Sequence, residues 1–202
     1  MRVTALVVVS LVLAIASARA AALPVGDGLR AATVALEPRG CTGVVVDDPS
    51  LVATALHCVD GLTEVRVRPS TGATRRAWVV AVDRVADQAI LLLDDPAAVA
   101  PLSLAPRTKP AGTTLWFGGH PSRLRFREAR LEKVGRCPSL PSLPDALFTT
   151  IDGTPGDSGA PVLDADGRVV GLVHGGARCQ ISTPARTLPR LIDRLLDRPL
   201  AA

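Results

Sequence analysis

Gly156-Asp157-Ser158-Gly159-Ala160-Pro161 is the stretch on which the reading of this chain turns. A serine hydroxyl is a poor nucleophile unless a base takes its proton and something stabilises the oxyanion formed as it attacks a carbonyl. Glycines on both sides of the serine let the backbone turn tightly, so that neighbouring N–H groups can aim at one point. The N–H groups of Gly156 and Ser158 are the natural donors of such an oxyanion hole. On its own, a Gly-Asp-Ser-Gly run also suits an ordinary loop, so the remainder of the chain has to decide.

Outward from this stretch the chain is a series of short apolar runs between turn residues. Thr114–Phe117, Leu124–Val134, Ala146–Thr150, Ala160–Leu163 and Val169–Val173 read as strands around the serine. Ala32–Leu36, Gly43–Val46, Leu51–Thr54, Val65–Val67, Ala77–Val82 and Ala89–Leu93 form an earlier series, broken by Pro38-Arg39-Gly40, Asp47–Ser50, Pro69–Gly72 and Asp94–Pro96. Pro101–Gly112, with Pro101, Pro106 and Pro110, reads as a surface crossover between two β-rich halves. No long helical pattern alternates with the strands, which disfavours a βαβ sheet. Near the C-terminus the period changes: Leu188, Leu191, Ile192, Leu195 and Leu196 fall on one helical face. Thr187 is placed to cap that helix and Pro199 to end it, and its apolar stripe is expected to pack on the second half.

Composition narrows the class further. Aromatic residues are only 2% and tyrosine is absent while apolar residues make up 48%, so the core must be built from Val, Leu, Ile and Ala. Met1–Ala20 has the form of an export signal: Arg2, then the apolar run Ala5–Ala16, then Ala18-Arg19-Ala20 as a cleavage site. Cleavage there would remove Arg2 and Arg19 and lower the formal charge from +4 by two units, too weak a balance to imply nucleic acid as a partner. The expectation is a secreted, periplasmic or extracellular monomer without stable membrane association. Export permits disulfides, and Cys41, Cys58, Cys137 and Cys179 form an even set with three possible pairings. No C-x-x-C is present and the histidines do not have zinc-finger spacing, so neither a structural metal nor any other cofactor is expected.

Thr54-Ala55-Leu56-His57-Cys58 supplies the base the serine needs. This segment resembles the T-A-A-H-C motif of the trypsin- and chymotrypsin-like serine proteases, and Gly156–Pro161 is similar to the G-D-S-G-x-P nucleophile motif of the same family. Asp87-Gln88-Ala89-Ile90-Leu91-Leu92 resembles the family's acid-bearing segment, with Asp83 as the competing aspartate. The chain order His, Asp, Ser agrees. The resemblance implies an all-β fold of two antiparallel six-stranded barrels with a C-terminal α-helix. It places the first barrel at about 30–100, the linker at about 101–112, the second barrel at about 113–180 and the helix at about 188–197 of a domain spanning 21–202. It further implies peptide-bond hydrolysis of protein or peptide substrates by a triad of His57, Asp87 and Ser158. Cys41 matches the family's partner for Cys58, which leaves Cys137 with Cys179.

The resemblance also has departures. No family-type N-terminus is available to neutralise Asp157, and the resemblance to secreted bacterial members suggests an internal arginine, with Arg136 as the candidate. Asp152, six residues before Ser158, matches the position of the carboxylate that receives Arg or Lys side chains. His174, followed by Gly175 on the segment that pairs with substrate, stands where a serine is usual; glutamate-specific relatives use a histidine near there. These residues are expected to bind substrate, with the balance tilted toward basic side chains. The run from Arg123 to Arg130 reads as a strand with a solvated basic face.

Overall fold

Alternation of buried and exposed residues is clearest in β4 (Glu64–Pro69), where Val65 and Val67 point inward and Glu64, Arg66 and Arg68 point to solvent. The computed structural model describes residues 25–120, 122, 126–175 and 179–196. The proposed signal at Met1–Ala20 therefore lies outside the described residues. β4 closes a six-stranded antiparallel barrel with β1 (Thr33–Glu37), β2 (Cys41–Val45), β3 (Leu51–Ala55), β5 (Arg75–Asp83) and β6 (Gln88–Leu93), in the order β1-β2-β3-β6-β5-β4. A second closed barrel comprises β7 (Thr114–Gly118), β8 (Phe126–Gly135), β9 (Ala146–Thr149), β10 (Pro161–Leu163), β11 (Val169–Val173) and β12 (Ile181–Pro184). Read from β7, its order is β7-β8-β9-β12-β11-β10, so the two halves share one topology.

The barrels are filled by aliphatic side chains. Val34, Leu36, Val44, Val52, Ile90 and Leu91 occupy the first, and Leu115, Leu131, Leu147 and Val162 the second, with Phe117 the one large buried ring. The proline-marked crossover is stitched to both barrels by backbone hydrogen bonds. Leu102 pairs with Val45 and Asp47 of the first barrel, while Ser103 and Ala105 pair with Val169 of the second. This seam fixes the cleft between the barrels without a flexible linker.

Three elements differ from the expectations above. α1 (Val25–Ala32) contains Gly26 and Gly28, poor helix formers, yet it is held by burial of Leu29 and Ala32 in the first core. β12 closes the second barrel although its four residues end in proline and show no alternation, because all four are buried. α2 (Leu188–Leu196) packs its apolar stripe on the first barrel rather than the second, with Leu188 and Leu191 buried in the first core and Leu195 facing Val79–Val82 of β5. The chain leaving β12 thus returns across the cleft and clamps the first half. Thr187 does not cap this helix. Its hydroxyl faces the Gln88 side-chain carbonyl at 2.5 Å and the Pro184 carbonyl at 3.0 Å. Residues 123–125 of the run read as a basic face lie outside the described residues; within β8, Arg127, Glu128, Arg130 and Glu132 are exposed around buried Ala129 and Leu131, a surface of mixed sign.

Candidate active site

β3 delivers His57 to the cleft by ending in a single 3₁₀ turn, Leu56–Cys58. Two restraints hold that turn. Cys58 is bonded to Cys41 of β2, with Cα atoms 5.9 Å apart. The Arg39 guanidinium donates to the carbonyls of His57 (2.6 Å) and Asp60 (2.7 Å), a clamp that no sequence motif announced. The imidazole itself is left partly open, with its side chain 42% exposed.

Asp87 sits in the turn between β5 and β6 at φ +52°, a left-handed conformation that aspartate tolerates better than most residues. Its carboxylate is buried and accepts three hydrogen bonds: Oδ1 from the His57 backbone N–H (2.9 Å), and Oδ2 from Nδ1 of His57 (2.7 Å) and Nδ1 of His174 (2.6 Å). Burial alone would raise its pKa. The hydrogen bonds from His174 and His57, with the charge those rings carry when protonated, outweigh burial and hold it at about 2. Asp87 therefore stays ionised wherever an imidazole titrates. Asp83 is otherwise engaged, its Oδ1 accepting the backbone N–H groups of Val85 and Ala86 in a local turn.

The depressed pKa has a consequence for stability. A carboxyl whose folded pKa lies below its unfolded value stabilises the fold fully above the unfolded value, and the contribution disappears as pH falls through the folded one. Acid titration followed by chemical denaturation should show a loss on the order of 2 kcal/mol between about pH 4 and pH 2 from this group. Asp87→Asn should lack that component of the slope.

Gln88, next in the chain, is fully buried and fixes Asp87 from behind. Its amide nitrogen donates to Thr183 Oγ1 (2.9 Å) and the Pro184 carbonyl (3.0 Å) of the second barrel. A polar side chain there is costly unless satisfied, and this one ties the acid-bearing strand to the opposite half.

The Ser158 loop comes from the second barrel and docks on β2 of the first. Thr42 donates its backbone N–H to the Ser158 carbonyl (2.9 Å) and its hydroxyl to the Gly156 carbonyl (2.6 Å). Gly159 is at φ +82°, and a Cβ there would overlap the Thr42 carbonyl and the Thr54 hydroxyl. Gly159→Ala should therefore lose about 3 kcal/mol or more in denaturant titration, since strain and backbone collision act together. Ser158 Oγ lies 3.4 Å from the His174 carbonyl, its one hydrogen-bond partner among the described residues. The serine and the His57 ring thus face the same cleft without a hydrogen bond between them. Such contacts commonly tighten only when substrate is bound.

Asp157 is buried and is not neutralised by Arg136, correcting that expectation. Arg136 is exposed and donates to the Pro141 carbonyl (3.2 Å). Asp157 Oδ1 accepts the His120 backbone N–H (2.8 Å), and Oδ2 accepts the backbone N–H (2.8 Å) and hydroxyl (3.0 Å) of Thr154. Among the described residues, fixed dipoles take the place of the cation. Gly119 makes room for the carboxylate, which a Cβ at that position would strike.

Beside the serine lies a recess of about 80 Å³ lined by Thr149, Ile151, Gly153, Val173, Gly175, Gln180, Ile181 and Ser182. Neither Asp152 nor His174 lines it. Asp152 is exposed and its carboxylate meets the Gln180 amide at 3.4 Å, while the His174 ring is turned to Asp87. Gly175 does line the recess, and a Cβ on it would lie 3.8 Å from Ser158 Oγ. Cys137 and Cys179 are bonded to each other, which ties the end of β8 to the segment entering β12.

The model of the trypsin-like peptidase domain matches residues 41–172, which include His57, Asp87 and Ser158. HhoA of Synechocystis sp., whose name describes a serine protease, is 28% identical over 145 residues; the match covers 65% of this chain. It covers 35% of HhoA, so the chain spans about a third of that relative's length. Among solved structures, the inactive form of the Rv3671c protease is 26% identical at a TM-score of 0.68, covering 85% of this chain and 92% of that one. Deg5 shares the fold at 20% identity and a TM-score of 0.71, covering 86% and 92% of the two chains.

Proposed function

The chain belongs to the trypsin-like peptidase domain family, and we propose that it is a serine endopeptidase working through His57, Asp87 and Ser158. The observation that carries this is the His57–Asp87 hydrogen bond, with Ser158 tied to the same carboxylate through His174, whose ring meets Asp87 and whose carbonyl meets Ser158 Oγ; the three residues come from different loops of two barrels. His57 Nδ1–H is held by Asp87, so the proton-free nitrogen is Nε2, the atom a base needs on the side facing substrate. His57 takes the Ser158 proton as Oγ attacks the scissile carbonyl, and Asp87 stabilises the imidazolium that results. The N–H groups of Gly156 and Ser158 stabilise the tetrahedral oxyanion. His57 then protonates the leaving amine, and water repeats the sequence on the acyl-enzyme.

The recess revises the expected specificity. A charged substrate side chain needs a buried counter-charge, and none of the described residues lining the recess carries one. On that ground uncharged side chains such as Val, Thr or Ser suit the recess better than Arg, Lys or Glu. A peptide library varied at the residue before the scissile bond should give kcat/KM for Val or Thr at least 100-fold above that for Arg or Glu. A preference for Arg or Glu would refute this assignment of the recess. The two disulfides fit an oxidising compartment, in line with the export signal read at Met1–Ala20.

A further inference from the structure

In this site a second imidazole stands on the carboxylate that orients the base. His57, His174 and Asp87 each offer a ligand atom within 4.8 Å of the other two, and Nδ1 of both rings converges on Asp87 Oδ2 at 2.7 and 2.6 Å. The two rings are set edge to face, with centroids 5.3 Å apart and planes at 88°, so they do not stack and their nitrogens share one focus. His174 is held in this pose by the end of β11, where its backbone N–H donates to the Ile181 carbonyl (3.0 Å). The carboxylate is buried, whereas the His57 ring is open to the cleft, which gives an ion a way in.

Two imidazoles and one carboxylate form a donor set suited to zinc and its transition-metal neighbours, and a poor one for magnesium or calcium, which want oxygen ligands. We infer that His57, His174 and Asp87 form an inhibitory binding site for a divalent transition-metal ion, zinc in particular. The inference rests on the peptidase reading for its effect on activity but not for the binding itself. Zinc–nitrogen and zinc–oxygen bonds of about 2.0–2.2 Å place two ligands of a tetrahedral centre roughly 3.3 Å apart. The carboxylate must therefore withdraw by some tenths of an ångström, and water would supply the fourth ligand.

Binding changes proton positions without a net release. Each neutral imidazole carries its proton on Nδ1 to donate to Asp87. With zinc on Nδ1, each carries it on Nε2 instead. His57 Nε2 then has no lone pair to receive the Ser158 proton, and the nucleophile cannot be activated. A single histidine on the carboxylate, with a hydroxyl at position 174, would offer too few ligands for this. The second ring makes the site.

Zinc chloride should be titrated against a chromophoric zinc indicator using Ser158→Ala protein, which is inert but keeps all three ligands. One zinc per chain is expected, and adding His174→Ser should weaken its binding at least 10-fold while near- and far-ultraviolet circular dichroism stay as in the parent. His174→Ala serves as a second variant if the serine form does not fold. Magnesium should not compete. In the active protein, micromolar zinc should abolish hydrolysis reversibly with EDTA, and His174→Ser should resist zinc relative to its own zinc-free rate. Equal zinc affinity with and without His174, or no binding at 100 µM (about 5 kcal/mol of affinity), overturns the proposal. One-to-one binding that requires His174, in a protein without peptidase activity, would uphold the site and remove the peptidase reading.

Discussion

Ser158→Ala is expected to lower kcat on a cleaved peptide by about 10⁶-fold with little change in KM. The alanine removes the only atom that forms the acyl bond, and neither the recess nor the Asp87–His57 pair depends on that hydroxyl. Ser158 Oγ has one hydrogen bond among the described residues, a 3.4 Å contact to the His174 carbonyl, so its loss should move stability by less than about 1 kcal/mol. A collapse of activity at unchanged stability separates nucleophile from scaffold. Stopped-flow kinetics on an activated ester should also lose its acyl-enzyme burst. Retention of more than a hundredth of the parental kcat would be incompatible with Ser158 as nucleophile.

Asp87→Asn comes next in expected size, at about 10⁴-fold in kcat. The carboxylate accepts three donors: the His57 backbone N–H, His57 Nδ1–H and His174 Nδ1–H. An asparagine amide offers one acceptor oxygen; turned to the His57 backbone N–H, it puts its own NH₂ against Nδ1–H of both imidazoles. His57 can relieve that conflict only by moving its proton to Nε2, the tautomer that cannot accept from serine. Asp83→Asn is the control. Asp83 serves a local turn beside exposed Val85, so kcat should stay within about twofold of the parent. Steady-state kinetics on the purified pair tests both, and the reverse ranking would exchange the two aspartates.

The two-barrel architecture was legible because short strands between turn residues marked two β-rich halves, and the resemblance of the His57, Asp87 and Ser158 segments to the trypsin-like family implied that each closes into a barrel. The elements that were not legible share a physical reason: burial, not pattern, makes them. β12 has no alternation to read, since all four of its residues are covered. α1 is a glycine-containing segment made helical by the core it covers, and the face on which α2 packs depends on where the chain crosses the cleft. At the site, His57 and Asp87, both supplied by motif reading, are hydrogen-bonded, while their supports could not be inferred from spacing. Arg39 lies 18 residues from the His57 carbonyl it clamps, and Gln88 reaches Thr183 across 95 residues. Asp157 shows the limit of charge pairing as a guide, because backbone N–H groups leave no mark in a sequence. His174 shows another: its place on the substrate-pairing segment suggested contact with substrate, yet its ring turns inward to Asp87.

The central claim is that Ser158 is a nucleophile activated by His57 held on Asp87. Labelling with a peptidyl or fluoro phosphonate, followed by proteolysis and mass spectrometry, tests it most directly. The phosphonate reacts only with a serine whose proton is taken as it attacks, so the adduct reports activation as well as exposure. The account predicts one stoichiometric adduct, on the peptide containing Gly156–Pro161 at Ser158, slowed at least 100-fold by His57→Ala and by Asp87→Asn. An unlabelled protein, an adduct on another serine, or labelling of Ser158 at an undiminished rate in the His57→Ala variant would contradict it.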